Sequence, residues 1–85
     1  MPTYHFHTEN GECLTDPDGT ELPDLLAVRH AAVQHLVEML RDRSDRFWET
    51  GDFAVIVTDD EDLTLFRLQL TAIEAAALSN ARLSL

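Results

Sequence analysis

Lysine is absent from this chain. Its six basic side chains are all Arg and stand against sixteen acidic ones, a formal net charge of -10 over 85 residues. Proteins that hold nucleic acid neutralise phosphates with Lys and Arg, so this balance argues against DNA or RNA binding and against docking on an anionic membrane surface. Long apolar runs are missing too; the longest are a few residues, where a membrane span needs about 20. The opening Met1-Pro2-Thr3-Tyr4-His5 has neither the basic nor the apolar region of a secretory signal. Cysteine occurs once, as Cys13, and cannot form an internal disulfide, so the expected setting is reducing and cytoplasmic. With three Gly in all, the spacings of a Gly-rich phosphate loop cannot occur. The length allows one domain, which buries only about 60–65% of its unfolded surface and so has a thin core.

What the chain does have is an apolar fraction of 45%, enough to fold. Tyr4-His5-Phe6-His7-Thr8 alternates like a strand. Glu9-Asn10-Gly11 then turns the chain into Glu12-Cys13-Leu14-Thr15. A two-residue turn would set Leu14 beside His7. A three-residue loop with left-handed Gly11 would set Leu14 beside Phe6 and Cys13 beside His7, gathering the apolar residues on one face, and is preferred. Asp16-Pro17-Asp18-Gly19 has the residues of a tight turn. Asp24 is a good helix N-cap, preceded by Leu22 as a hydrophobic anchor. Leu25, Val28, Ala32, Leu36, Met39 and Leu40 then recur at helical spacing, widened by Leu26, Val33 and Val37, which predicts one amphipathic helix of about five turns. Phe47 to Gly51 closes it. Phe53–Thr58 reads as a strand buried on both faces, Asp59–Asp62 as a turn and Leu63–Leu70 as a last strand.

The expected fold is therefore α+β. One mainly antiparallel four-stranded sheet, β-β-α-β-β, forms a single domain over residues 1–70 with the long helix on one face. Residues 71–85 are an extension whose Ala72–Leu78 stretch could form a short C-terminal helix.

Three groups of residues carry a family resemblance: Tyr4-x-Phe6-His7 at the start, Gly19-x-Glu21-Leu22-Pro23-Asp24 before the helix, and Val57-Thr58-Asp59 before the final strand. Over roughly residues 2–70 the chain resembles a group of short proteins, abundant in alphaproteobacteria, classed as a domain of unknown function. The resemblance implies a small bacterial protein and carries over no catalytic residues. The chain departs from that pattern at His5, where the group has an aromatic residue, and after Leu70.

The sharpest chemical constellation is His5, His7 and Cys13. Two imidazoles two apart on a strand project to one face, and a thiol across from His7 would give three of the four ligands of a zinc site. The bland reading is two surface histidines beside a small thiol. Cys13 and His7 could also be a nucleophile and base, with no evident third group. His30 and His35 are five apart and cannot pair as helical metal ligands. The acids 16–24 and 59–62 lack the spacing of a calcium loop.

Because one helix covers one sheet face, the other is expected to keep an apolar strip around Ile56, Leu63 and Leu65, a contact surface unless the tail folds over it. The expected protein is thus a non-enzymatic interaction or regulatory module without cofactor, a homodimer, whose acidic turns favour a protein partner with a basic rim. The alternative is a metal-binding or redox-sensing domain built on His5, His7 and Cys13. A remoter one is an acidic mimic of nucleic acid.

Overall fold

A computed structural model describes residues 1–77. The order is β1 (Thr3–Glu9), β2 (Cys13–Leu14), β3 (Thr20–Glu21), α1 (Leu25–Asp42), α2 (Ser44–Thr50), β4 (Asp52–Asp59) and β5 (Thr64–Thr71). All strand pairs are antiparallel, in the order β2-β1-β4-β5, and β3 joins the same edge of β1 as β2. The architecture is the expected α+β sheet with a long helix on one face. β3 and the short α2 are additions to it.

β4 lies at the centre, between β1 and β5, as its unbroken apolar run requires. Phe53, Val55 and Val57 point to the helical layer and pack with Phe6, Val28, Ala32, Leu36, Met39 and Phe47. Tyr4, Leu22, Phe66 and Leu68 close around this cluster. Asp24 caps α1 as its sequence position predicts, accepting from Ala27 N at 2.8 Å.

The helical layer departs from the expectation at Arg43, whose φ of -135 and ψ of 41 separate α1 from α2. Neither Gly nor Pro causes the break. Eighteen residues at 1.5 Å make α1 about 27 Å long, and the eight residues of β4 span about the same, so a straight helix would overrun the sheet. The bend instead returns Phe47 to the core, edge-on to Phe53 at 5.2 Å. It also lets Arg46 Nε donate to Asn10 O at 2.6 Å, which ties α2 to the first hairpin.

That hairpin corrects a second expectation. Thr8 faces Leu14 and Glu9 faces Cys13, so the loop is Asn10-Gly11-Glu12 and each partner on β1 lies two residues nearer the turn than expected. Leu14 is left 49% exposed. Gly11 has φ +94, and a Cβ there would stand 2.9 Å from Thr50 Cγ2. The close seat of α2, and not burial of Leu14, sets this register. The helix expected over Ala72–Leu78 is not formed at 72–75; only Ala76 and Ala77 are helical, and Leu78 lies outside the described residues. Among the described residues no helix is long and apolar enough to cross a membrane.

Candidate functional site

The sheet face turned away from α1 carries His5, His7 and Glu9 from β1, Ala54, Ile56 and Thr58 from β4, and Arg67 and Gln69 from β5, by strand alternation and the pairing register. Its polar groups flank Ile56, so the apolar strip expected around that residue is interrupted by His7 and Arg67. Ala54 and Thr58 are buried and Ile56 is half-buried, placed between His7 and Arg67. Arg67 donates to Glu9 Oε2 at 2.6 Å and to Gln69 Oε1 at 3.2 Å, a pair that holds the Glu9 carboxyl below its usual 4.5. Leu63 and Leu65 are exposed; Leu63 precedes β5, and Leu65 stands at the irregularity in pairing opposite Val57 and Thr58.

Both histidines are held by the loop that joins β2 to β3. Those two short strands cover only the ends of β1, and Asp16 occupies the gap between them. Its Oδ2 accepts from Phe6 N and its Oδ1 from Gly19 N, both at 3.1 Å. Burial pushes the Asp16 carboxyl up, but the N–H groups of Phe6, Gly19 and Asp18 and the nearby His5 outweigh it and hold the group below 3.8.

His5 Nδ1 donates to Asp16 O at 2.9 Å, and Nε2 lies 3.1 Å from Asp60 Oδ1. Both ring nitrogens face acceptors, so the imidazolium satisfies both. The carbonyl of Asp16, then the Asp60 carboxylate, raise His5 above its ordinary 6.5. His5 thus links two acidic turns at one end of the sheet, 16–19 and 59–62. The second turn is organised by Asp59, whose Oδ1 accepts from Glu61 N and Leu63 N.

His7 sits in a row that resembles a catalytic triad: Thr58 Oγ1, His7 Nε2 at 3.0 Å, and Asp16 beyond Nδ1. The third group, however, is the main-chain N–H of Asp16, which donates to Nδ1. Nδ1 therefore holds the lone pair and Nε2 the hydrogen, so the ring donates to Thr58 and cannot take its proton. The row orients groups without activating a nucleophile.

Cys13 is exposed and faces Glu9, not His7. The expected His5–His7–Cys13 set is not brought together, and among the described residues no three His, Cys, Asp or Glu side chains are grouped to hold a metal. The shallow groove beside Cys13, about 280 Å³, is lined by Glu9, Gly11, Glu12, Thr50 and Asp52. Arg67 and Arg46 already partner Glu9 and Glu12.

An apolar surface lies also on α1, made by residues expected to widen its buried stripe. Leu26, Val33 and Val37 are 62%, 51% and 50% exposed. A groove of about 400 Å³ runs past Leu26, Arg29, His30, Val33 and Gln34, and a second of about 350 Å³ continues past Val37, Glu38 and Arg41. At 100° per residue the three side chains lie roughly 140–180° around the helix from Val28. That angle was available from the sequence and separates them from the buried stripe.

A family model, described as Domain of unknown function (DUF6894), matches residues 3–71. The chain belongs to this family. The DUF6894 match opens at the first residue of β1 and ends at the last of β5, so the domain is the whole sheet with its two helices. No curated protein and no solved structure matches the chain. The DUF6894 description assigns no activity, and the reading of function rests on the geometry above.

Proposed function

We propose that this DUF6894 domain is a non-catalytic contact module that binds a partner protein along the outer face of α1. The observation that carries the reading is the row Leu26, Val33 and Val37, each at least half exposed on a helix whose opposite side is fully used by the core. Apolar side chains in a line along a groove are how proteins hold amphipathic segments. Arg29, Gln34, Glu38 and Arg41 border the row and can fix the orientation of what lies in it. The net charge of -10 steers partners with basic surfaces toward the domain and turns acidic ones away. A non-catalytic role is supported by His7, whose hydrogen-bonded tautomer is the wrong one for a general base.

The test is a photo-crosslinking side chain at position 37 in the native cell, with position 15 on the exposed hairpin as the control. A discrete adduct is expected from position 37, none from position 15, and loss of the adduct when Val33→Arg is added to a domain that still melts normally. An adduct that survives Val33→Arg, or equal adducts from both positions, would overturn the reading.

A further inference from the structure

Among the described residues β5 is an outer edge of the sheet. Seven of its eight positions pair with β4 and, among the described residues, none pairs elsewhere, Leu65 standing at the irregularity, so from Phe66 to Thr71 every second N–H and C=O points outward. Exposed edges of this length are usually blunted by charges, proline or a covering element. Here Thr64-Leu65-Phe66-Arg67-Leu68-Gln69-Leu70-Thr71 contains one charge and no proline. The helices do not shelter it, since α1 lies over β4 and β1 and α2 over β4. Phe66 and Leu68 are half-buried, while Leu65 and Leu70 are 40% and 37% exposed.

We infer that two copies of the chain join edge to edge through β5, antiparallel, to form one continuous sheet across a two-fold axis. The strand's match to itself, and not charge, favours a second copy at this place: Leu65, Phe66, Leu68 and Leu70 stand around the single charge of Arg67. Two molecules of -10 repel each other, so the contact has to come from the ladder and the apolar side chains, and salt should favour it. The axis also restricts the register. Facing residues must share a sheet face, so the sum of their numbers is even. Pairing Arg67 with Arg67 of the partner subunit would oppose like charges. Shifting by one pair sets Leu68 against the partner's Leu68, Phe66 against the partner's Leu70, and Arg67 against the partner's Gln69. This arrangement matches apolar with apolar on the helical face and places an amide acceptor before each guanidinium. A two-fold axis perpendicular to the sheet leaves both copies of α1 on the same side. The inference does not depend on the reading of α1.

The register makes a prediction that opposes the net charge. Gln69→Glu puts a carboxylate across from Arg67 twice per dimer, and Gln69→Arg puts a second guanidinium there. Cross-strand pairs of this kind shift dimer dissociation by roughly fivefold. Gln69→Glu is expected to tighten it although the chain becomes more acidic, and Gln69→Arg to loosen it. Sedimentation from low to high micromolar concentration reads the mass, expected to approach twice 9.6 kDa. Amide exchange reads the outward N–H groups of β5, expected to gain protection with concentration. Val33→Arg should leave both unchanged. A chain that stays at 9.6 kDa throughout overturns the inference. Loss of the dimer in Val33→Arg would move the contact to α1, and variants that follow net charge would reject the register. Protection of β5 amides in a monomer would mean that another part of the chain covers the edge.

Discussion

At the scale of single residues, His5 is the side chain on which most depends. It donates to the carbonyl of Asp16 and faces the carboxylate of Asp60, with the Asp16 carboxylate close by and the ring of His7 parallel at 6.2 Å. A histidine raised above 6.5 contributes stability that is complete below that pH and is lost as pH rises through the folded value. Asp16 and Glu9 are held below 3.8 and 4.5. Their contribution is present above those values and is lost as pH falls through the folded ones. The melting temperature should therefore peak between about pH 4.5 and 6.5 and fall toward pH 8. His5→Gln and Asp60→Asn should flatten the descent on the alkaline side. Thermal melts across pH check this, and an unchanged alkaline slope in His5→Gln would reject it. That His5 and His7 share one polar face follows from alternation along the strand. Their partners do not, because Asp60 is 55 residues away in sequence and Asp16 reaches back across a gap that exists only because β2 and β3 are both so short.

At the scale of elements, α2 shows most directly what tertiary packing adds to local preference. Phe47 is buried against Phe53, while its neighbour Trp48 is 73% exposed. Phe47→Ala should destabilise the domain by about 3 kcal/mol, whereas Trp48→Ala should fall within about 0.5 kcal/mol of wild type. Urea unfolding measures both, and comparable losses would mean that α2 packs differently. The long elements are legible because their apolar periods are strong: alternation in β1, an unbroken run in β4, a helical stripe from Val28 to Met39, and Asp24 to start it. What stays hidden is whatever another element decides. The break at Arg43 answers to the length of the sheet, and the register of the first hairpin answers to α2 seated against Gly11. β3 is two residues long and has no pattern of its own. Ile56 reads as apolar and exposed from its own strand, yet the residues flanking it across the sheet, His7 and Arg67, are polar.

At the scale of the whole molecule, the shortage of positive charge returns as a distribution. The turns 16–19 and 59–62 lie at one end of the sheet, linked by His5, and the first hairpin loop lies at the other, where Arg46 meets Glu12. The helical segment 29–50 carries four Arg and four acids and is neutral. Most of the excess therefore crowds into the end held by one imidazole, and self-repulsion there opposes the compact state. Salt screens charges beyond about 10 Å at 0.1 M, which weakens this long-range repulsion. The contacts of Arg67 with Glu9 at 2.6 Å and Arg46 with Glu12 at 3.5 Å lie well inside that length and lose less. Raising the salt from tens of millimolar to half-molar should increase the melting temperature by a few degrees at pH 7. At pH 5, with the His5 imidazolium present between the two turns, the gain should shrink. Measurements at low micromolar protein keep association through β5 from adding to the effect. A melting temperature that falls with salt would mean that short-range pairs, and not the net charge of -10, dominate the electrostatics of this fold.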